Sequence, residues 1–340
     1  MTVLFVLVAT VALSFLLTAA IRAVARSAKL IDVPNERSSH AVPTPRGGGI
    51  AMVLSFFAGI LLLDMWGLPR PAVFEGLVLA AALVAAVGLI DDRWQLSALT
   101  RLLCHVAAAM WALWHLGTMP PLTFLGASVD LGWSGPPLAI IYMVWAINAF
   151  NFMDGIDGIA ALETITVAAG GALLNYVVIG GTSWLLPVML ALCAFGFLVW
   201  NWPPARIFMG DAGSGFLGLT IGLMTLGYGF QAPVLFWCWF ILQGCFVVDA
   251  TTTLLRRVGR GQRPWLPHRS HAYQFAARRY AAHRPVTLAC AGITLFWLLP
   301  LATTVALGWL DGVWALAIAY TPLVALAYHF RAGAPELQDR

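Results

Sequence analysis

The chain of 340 residues is 61% hydrophobic and only 10% charged. Soluble domains contain roughly 45–50% apolar and about 25% charged residues, so this composition excludes an ordinary soluble protein and indicates an integral membrane protein. The formal net charge of +4 indicates contact with anionic lipids and other anions at a membrane face, and nucleic acid is a poor explanation for it.

Eleven apolar stretches of the sequence have about the length, roughly 17–25 residues, that a membrane-spanning helix needs. With this odd number of spans the termini lie on opposite sides, and every Lys and Arg except Arg70 falls on one side. The positive-inside rule makes that side cytoplasmic, with the N-terminus outside and the C-terminus inside. We therefore predict one all-α polytopic domain over 1–340, with spans at 2–21, 48–66, 73–90, 99–116, 136–150, 159–179, 183–200, 213–230, 233–255, 286–306 and 312–330.

Two connections between these spans are long. The external segment 117–135 contains a Gly-Ala-Ser sequence between two β-prone pieces, which predicts a small hairpin on the outer face. The cytoplasmic loop 256–285 is the longest connection. All five cysteines lie within apolar spans and form neither a disulfide framework nor a metal-binding spacing. The first apolar run lacks the features of a cleaved signal peptide and is predicted to be a retained span.

Polar segments that contain aspartates occur at the ends of the apolar runs. A carboxylate beside lipid is costly and is usually kept for an ion, a proton or a substrate. Acids at the C-terminus of a helix also oppose the helix dipole, so the adjacent Asp91 and Asp92 need a compensating cation. The polar segments all lie on the predicted cytoplasmic side and comprise 32–49, 88–93, 148–158, 203–214 and 264–274.

Glycines flank the N-termini of three predicted spans that begin in the cytoplasm, at 47–49, 158 and 210–215. Such a helix N-terminus suits phosphate binding, and Mg²⁺ commonly takes one or two carboxylates together with phosphates and water. The pattern therefore favours a phosphate–Mg²⁺ site. The same glycines would equally allow close packing of membrane helices, and Asp154 with Asp157 would also suit the cap of a helix.

Other polar residues lie inside the spans. Asp249 and Glu163 are expected to face the bundle interior, where they either belong to the site or form structural hydrogen bonds between helices. His105 and His115 lie on an apolar span, and we interpret them as packing residues.

The strings Asn151–Gly158 and Ile207–Ser214 resemble those of the polyprenyl-phosphate N-acetylhexosamine-1-phosphate transferases, the family that includes phospho-N-acetylmuramoyl-pentapeptide transferase. The resemblance extends over about residues 30–280. It implies that a polyprenyl phosphate attacks the β-phosphorus of a UDP-N-acetylhexosamine and releases UMP, in the cytoplasmic (inner) membrane of a bacterium. It also implies Mg²⁺ as cofactor, with Mn²⁺ as an alternative ion, and allows a homodimer.

By position in the family's motifs, the resemblance assigns a role to each candidate residue. It implies Asp211 and Asp154 as metal ligands, and Asp91 and Asp92 as the pair that positions or deprotonates the lipid phosphate. A phosphate monoester, whose second pKa is about 6, is already largely ionised at pH 7, which leaves the base role open. The implied substrate-binding residues are Asn151, Asp157, Phe208 (stacking on uracil), Arg37, His40, Arg46, His268, Arg269 and His271.

The chain departs from many relatives at three positions: Gln95 replaces a third acid, the first loop reads Arg37-Ser-Ser-His40, and the histidine loop reads Pro267-His-Arg-Ser-His271. The last two departures indicate a sugar other than N-acetylmuramoyl-pentapeptide, and the pattern is closer to enzymes that initiate O-antigen or capsule synthesis. A proton-coupled transporter using Asp249, Glu163 and histidines is the alternative hypothesis, but the acids cluster at one face and no internal repeat is visible. A structural scaffold would leave the acids without a task.

Overall fold

The computed structural model describes residues 1–28, 30–34, 42–67, 74–263, 265–266 and 268–335. The described chain is mostly helical, which agrees with the predicted all-α class. Its helices are α1 (Thr2–Ser27), α2 (Gly49–Met65), α3 (Phe74–Trp94), α4 (Ala98–Leu116), α5 (Gly135–Met153), α6 (Ile159–Val178), α7 (Leu185–Asn201), α8 (Asp211–Gln231), α9 (Pro233–Leu242), α10 (Gly244–Val258), α11 (Ala272–Tyr280), α12 (Arg284–Ile293), α13 (Leu299–Ala306) and α14 (Gly312–His329).

Each of the eleven predicted spans coincides with helical structure. Among the described residues, five helical stretches are long and apolar enough to cross a membrane: α1, α5 with its preceding turn, α6, the continuous stretch Arg284–Ala306, and α14. The stretch Arg284–Ala306 contains one π-helical segment, Thr294–Leu298, between α12 and α13. The protein is thus a helical, multi-pass membrane protein, while the number of eleven spans and the orientation of the termini stay predictions.

The predicted ninth span, 233–255, is not one straight helix. It consists of α9 and α10, which meet at an angle of 69°. Gln243 at the break donates hydrogen bonds from Nε2 to the side-chain oxygens of Thr225 and Tyr142 at 3.0 Å. These bonds direct the Gln243 side chain toward the core. At Gly244, an added Cβ would lie 2.9 Å from the Tyr320 ring. The bend therefore results from buried polar bonds and close packing that apolar periodicity does not report.

Helix α8 forms the centre of the bundle. Every residue from Ala212 to Gly229 is buried, and α8 packs against α2, α3, α5 and α9. Glycines allow this packing. Lipid tails are as apolar as the helix surfaces, so membrane helices associate through close approach of their backbones. An added Cβ at Gly218 would lie 2.4 Å from the carbonyl oxygen of Ala146 on α5. Because Asp211 is the first residue of α8, the packing of this helix fixes the position of that carboxylate.

Two short antiparallel ribbons complete the described structure. Strands β1 (Ile31–Asp32) and β2 (Thr44–Pro45) pair beside the start of α2. Strands β3 (Leu122–Phe124) and β4 (Ala127–Val129) form a hairpin inside the segment 117–135. Its turn is Leu125–Gly126, where both residues have positive φ. The predicted Gly-Ala-Ser turn is therefore wrong by about one residue, since Ala127 and Ser128 belong to β4.

Candidate active site

The first loop and the segment before α8 are joined by backbone hydrogen bonds. The Phe208 N–H donates to the Pro45 carbonyl at 2.8 Å, and the Gly48 N–H donates to the Phe208 carbonyl at 2.9 Å. The Gly49 N–H continues the pairing to the Met209 carbonyl at 2.8 Å. This pairing brings Arg46 next to the N-terminus of α8, although the two lie 165 residues apart in the sequence.

Arg46 bridges two aspartates from different helices. Its Nε lies 2.8 Å from Asp92 Oδ1, and its Nη2 lies 2.6 Å from Asp211 Oδ1. The Asp211 N–H in turn points at both Asp92 oxygens at 3.1 Å. Burial lowers the pKa of the Arg46 guanidinium, but the Asp211 and Asp92 carboxylates outweigh this and hold the pKa above its ordinary value. Arg46 therefore stays charged and links the end of α3 to the start of α8.

Asp91 is paired with a second arginine. Its Oδ2 lies 2.7 Å from Arg101 Nη1, and its Oδ1 accepts a hydrogen bond from the Leu96 N–H at 2.6 Å. Arg101 Nη1 is also 3.9 Å from Asp211 Oδ2. The compensating cations that the helix dipole requires for Asp91 and Asp92 are thus Arg101 and Arg46. Arg101 is not among the residues predicted from the sequence. Its signal was a cation in the first turn of an apolar helix, where the dipole disfavours positive charge.

Glycine contacts hold these helix ends together. An added Cβ at Gly88 on α3 would lie 2.3 Å from the Ala212 nitrogen, and one at Gly49 would lie 2.3 Å from the Gly213 Cα. Gly210 has a positive φ of 77°, and an added Cβ there would meet Asp92 Oδ2 at 2.4 Å. Close backbone approach therefore accounts for glycine at Gly88 and Gly49, and for Gly49 this is the packing alternative left open by the sequence. At Gly210 the positive φ and the Asp92 side chain account for it.

Asn151 and Asp154 lie at the C-terminal end of α5. Asn151 Nδ2 donates to Ser214 Oγ at 3.2 Å, which ties α5 to the first turn of α8. Asp154 follows α5 and is half-buried. Burial raises the pKa of the Asp154 carboxyl to about 7, because the Asp211, Asp92 and Asp157 carboxylates add to the effect of desolvation and Arg46 only partly offsets it. The site thus carries more acid than its arginines neutralise.

A cavity of 1210 Å³ opens between these elements. Its polar part is lined by Asp91, Arg101, Asn151, Asp154 and Asp211 together with His268 and His271. Its apolar part extends between α4 and α5, lined by Leu102, Val106, Ile140, Ile141 and Val144. The structure therefore brings four of the five predicted motif segments to the wall of one cavity, where polar and apolar walls join. The fifth segment, 32–49, adjoins them through Arg46.

Asp157 has a different environment from the other aspartates. Its Oδ2 accepts a hydrogen bond from the Ala205 N–H at 3.0 Å and lies 3.3 Å from His283 Nδ1. The Thr287 hydroxyl donates to the Asp157 carbonyl at 2.9 Å. Asp157 is absent from the cavity lining. In this structure its carboxylate joins the loop before α8 to α12, and its predicted substrate-binding role stays a prediction.

The remaining predicted residues are placed as follows. His268 and His271 stack on each other, with ring centroids 4.9 Å apart. The Arg269 carbonyl accepts a hydrogen bond from Arg278 at 3.1 Å. Phe208 is half-buried and does not line the cavity, so its stacking on uracil stays a prediction. The predicted residues Arg37 and His40 lie outside the described residues.

Carboxylates are the groups in this site that suit a metal ion. In the described part of the chain, no three His, Cys, Asp or Glu side chains form a ready metal cage. Magnesium does not require one, because it usually keeps several waters and takes one or two carboxylates together with substrate phosphates. The donor set around Asp211 and Asp154 therefore fits Mg²⁺ better than a metal that needs nitrogen or sulfur ligands.

A helical membrane bundle with carboxylates and arginines around one cavity is suited to transferring phosphorylated groups at a membrane face. The model of glycosyl transferase family 4 matches residues 74–229. A probable undecaprenyl-phosphate N-acetylglucosaminyl 1-phosphate transferase from Bacillus subtilis (strain 168) is 30% identical over 281 residues, covering 79% of this chain and 75% of the relative. The chain belongs to glycosyl transferase family 4.

Two further relatives match over large parts of the chain. A decaprenyl-phosphate N-acetylglucosaminephosphotransferase from Mycolicibacterium smegmatis is 32% identical over 312 residues, covering 81% of this chain and 75% of the relative. A phospho-N-acetylmuramoyl-pentapeptide-transferase from Moorella thermoacetica is 31% identical over 231 residues, covering 63% and 69%. These matches confirm the family resemblance drawn from the motifs, and the transporter alternative gains no support.

Proposed function

We propose that the protein transfers an N-acetylhexosamine 1-phosphate from a UDP-sugar to a polyprenyl phosphate. An oxygen of the lipid phosphate attacks the β-phosphorus of the UDP-sugar and forms a new P–O–P bond. The bond from that phosphorus to the bridging oxygen breaks, and its electron pair leaves with UMP. The observation that carries the proposal is the cavity, in which Asp91, Asp154 and Asp211 share one space with an apolar wall.

The apolar wall suits the acceptor lipid. Leu102 on α4 and Ile141 on α5 line the cavity and are also exposed on the outer surface, where lipid would surround them. A polyprenyl chain lying between α4 and α5 would place its phosphate beside Arg101, which is in contact with Asp91. Arg101 would bind the phosphate as a charge-assisted donor, and Asp91 would orient Arg101.

The polar part of the cavity suits a divalent cation. Four carboxylates, Asp91, Asp92, Asp154 and Asp211, interact with one another and with two arginines, which leaves an excess of negative charge. Two substrate anions could not approach such a site without a cation. Asp211 and Asp154 would hold Mg²⁺, which when bound would neutralise charge on the phosphate oxygens.

The names of the relatives support a choice of donor sugar. Those that cover most of the chain carry N-acetylglucosamine in their names, so UDP-N-acetylglucosamine is the first donor to test. Initiation of a surface polysaccharide such as O-antigen, in a bacterial cytoplasmic membrane, is the role we propose for the product.

The test is release of UMP by purified protein in detergent with undecaprenyl phosphate, MgCl₂ and a panel of UDP-N-acetylhexosamines. We expect UMP with at least one donor and none after chelation by EDTA. Asp211→Asn should lower turnover by about 10³-fold, the size of effect seen when one group that stabilises charge in a transition state is lost.

Asp130→Asn is the matched control, since Asp130 is an exposed carboxylate in the hairpin region whose Oδ1 accepts a hydrogen bond from the Gly132 N–H. It should retain full activity. Absence of UMP with every donor from folded protein would overturn the proposed reaction, and normal turnover by Asp211→Asn would remove that residue from the cation site.

A further inference from the structure

A buried carboxylate on α10 contacts the loop that carries the two cavity histidines. Asp249 is only 6% exposed and is absent from the cavity lining. Its Oδ1 accepts a hydrogen bond from the Ala272 N–H at 2.9 Å, and its Oδ2 accepts one from the Tyr273 N–H at 3.0 Å. These are the first two N–H groups of α11, which have no acceptor within their own helix. Asp249 is therefore an N-terminal cap of α11 supplied by another helix.

The capped end of α11 adjoins the histidine loop. His271 immediately precedes α11, and its Nδ1 lies 3.4 Å from Asp249 Oδ1. The His271 ring stacks on His268 and also on Phe152, with ring centroids 4.9 and 6.1 Å apart. A displacement of the N-terminus of α11 would therefore move both histidine rings within the cavity.

The same end of α11 contacts the last turn of α5 and Gly155 just after it. The Tyr273 hydroxyl donates to the Phe152 carbonyl at 3.0 Å, and an added Cβ at Gly155 would lie 2.1 Å from that hydroxyl. Gly155 has to be glycine for Tyr273 to approach this closely. The cap on α11 is thus connected to the C-terminal end of α5, where Asn151 and Asp154 lie.

A carboxylate is chemically specific for this task. Its two oxygens accept from two N–H groups at once, and its negative charge is favoured at the positive end of the α11 dipole. The basic side chain in contact with Asp249 is that of His271. An apolar residue of similar size would fill the same volume, so packing alone does not account for an acid here.

We propose that Asp249 is a positioning residue, which holds His268 and His271 at the cavity by capping α11 from inside the bundle. Only the expected change in kcat rests on the proposed function. The loop geometry itself can be tested without turnover.

Asp249→Asn replaces one acceptor oxygen with an amide that cannot accept from an N–H. We expect kcat for UMP release to fall about 30-fold, because a misplacement near 1 Å costs about 10²-fold, while KM for the UDP-sugar changes less than about threefold. Thr253→Val is the matched control, since the Thr253 hydroxyl donates to Asp249 Oδ1 at 3.0 Å but belongs to α10 and not to the loop. Its kcat should stay within about twofold of the wild type.

A double-mutant cycle separates positioning from general stability. If Asp249 acts through His271, Asp249→Asn should change kcat by less than about twofold in the His271→Ala background, because coupled residues are not additive. Independent, multiplicative losses would overturn the proposal. Equal losses in Asp249→Asn and Thr253→Val would overturn it as well.

A turnover-independent readout distinguishes failure of this inference from failure of the proposed reaction. Carbethoxylation of His268 and His271, followed by peptide mass spectrometry, should be about fivefold faster in Asp249→Asn than in the wild type, since His271 is only 3% exposed in the structure. Unchanged rates would overturn the inference even if the wild type released UMP.

If Asp249→Asn does not fold, Ala272→Pro serves instead. Proline is tolerated at the first position of a helix and removes only the N–H that donates to Asp249 Oδ1. The same increase in carbethoxylation rate is expected for this variant, and a wild-type rate in it would contradict the proposal.

Discussion

The contact between Gly88 and the start of α8 gives the sharpest prediction. Gly88→Ala would place a Cβ 2.3 Å from the Ala212 nitrogen, 2.5 Å from the Ala212 Cα and 2.5 Å from the Asp211 carbonyl carbon. All three atoms are backbone, so no side-chain rotation can relieve the overlap. We expect α3 to move away from the N-terminus of α8.

The size of the movement follows from these distances. Ordinary van der Waals contact begins near 3.4 Å, so the 2.3 Å contact has to lengthen by about 1 Å. Asp91 and Asp92 lie one turn beyond Gly88 on α3 and would move relative to Asp211. A misplacement of that size costs about 10²-fold in rate, or about 2.7 kcal/mol in the activation barrier. Overpacking should also lower the free energy of unfolding by about 1–3 kcal/mol.

The assay is UMP release by Gly88→Ala under saturating donor, with thermal unfolding measured in parallel. Gly222→Ala is the matched control: Gly222 lies on α8, the helix that Gly88 contacts, and an added Cβ there would have its shortest contact, with Ala146 Cβ, at an ordinary 3.4 Å. We expect it to be active and at least as stable as the wild type, because Ala is favoured over Gly in a helix by about 0.5–1 kcal/mol. Comparable activity of the two variants would refute the reasoning.

Two further predictions concern stability. Gly333→Ala should lower the unfolding temperature more than Gly308→Ala does. Both glycines have positive φ (68° and 71°), but of the two only Gly333 would bring an added Cβ against backbone, at 2.8 Å from the Thr253 carbonyl oxygen. Differential scanning fluorimetry in detergent would check this, and equal shifts would contradict it. Asp157→Ala should leave the Ala205 N–H without its acceptor and lower the free energy of unfolding by about 1–3 kcal/mol, with KM for the UDP-sugar nearly unchanged. A KM raised more than tenfold with no loss of stability would instead assign Asp157 to substrate binding.

Much of the site could be predicted because its charged residues occupy positions that are energetically costly unless they have partners. Two aspartates at the C-terminus of a helix require cations whatever the fold, and the structure supplies Arg46 and Arg101. The membrane also limits the alternatives, since polar segments between apolar runs have to lie at one face or the other. Periodicity and length were sufficient to place helices, because each apolar run has to satisfy its backbone internally.

The partners of the polar residues could not be predicted in the same way. Asp157 shares a motif with Asp154, but one carboxylate lies at the cavity and the other accepts from the Ala205 N–H. On a continuous helix, residues three apart would share one face. However, α5 ends at Met153, before both aspartates, and the sequence does not show where that helix stops. The bend at Gln243 escaped prediction for a related reason, since its hydrogen bonds go to Thr225 and Tyr142 on other helices.

The motifs combine residues that perform chemistry with residues that position them, and the two kinds depend on different physics. Asp154 and Asp211 would bind the cation, and Asp91 would orient the phosphate-binding Arg101, through charge interactions that act over several ångströms. Gly49, Gly88 and Gly213 act through steric contact at 2.3–2.7 Å from backbone atoms to an added Cβ, where a single methyl group is decisive. A variant that keeps every charged group but replaces one of these glycines should therefore lose more activity than one that exchanges a charged residue at the edge of the cavity.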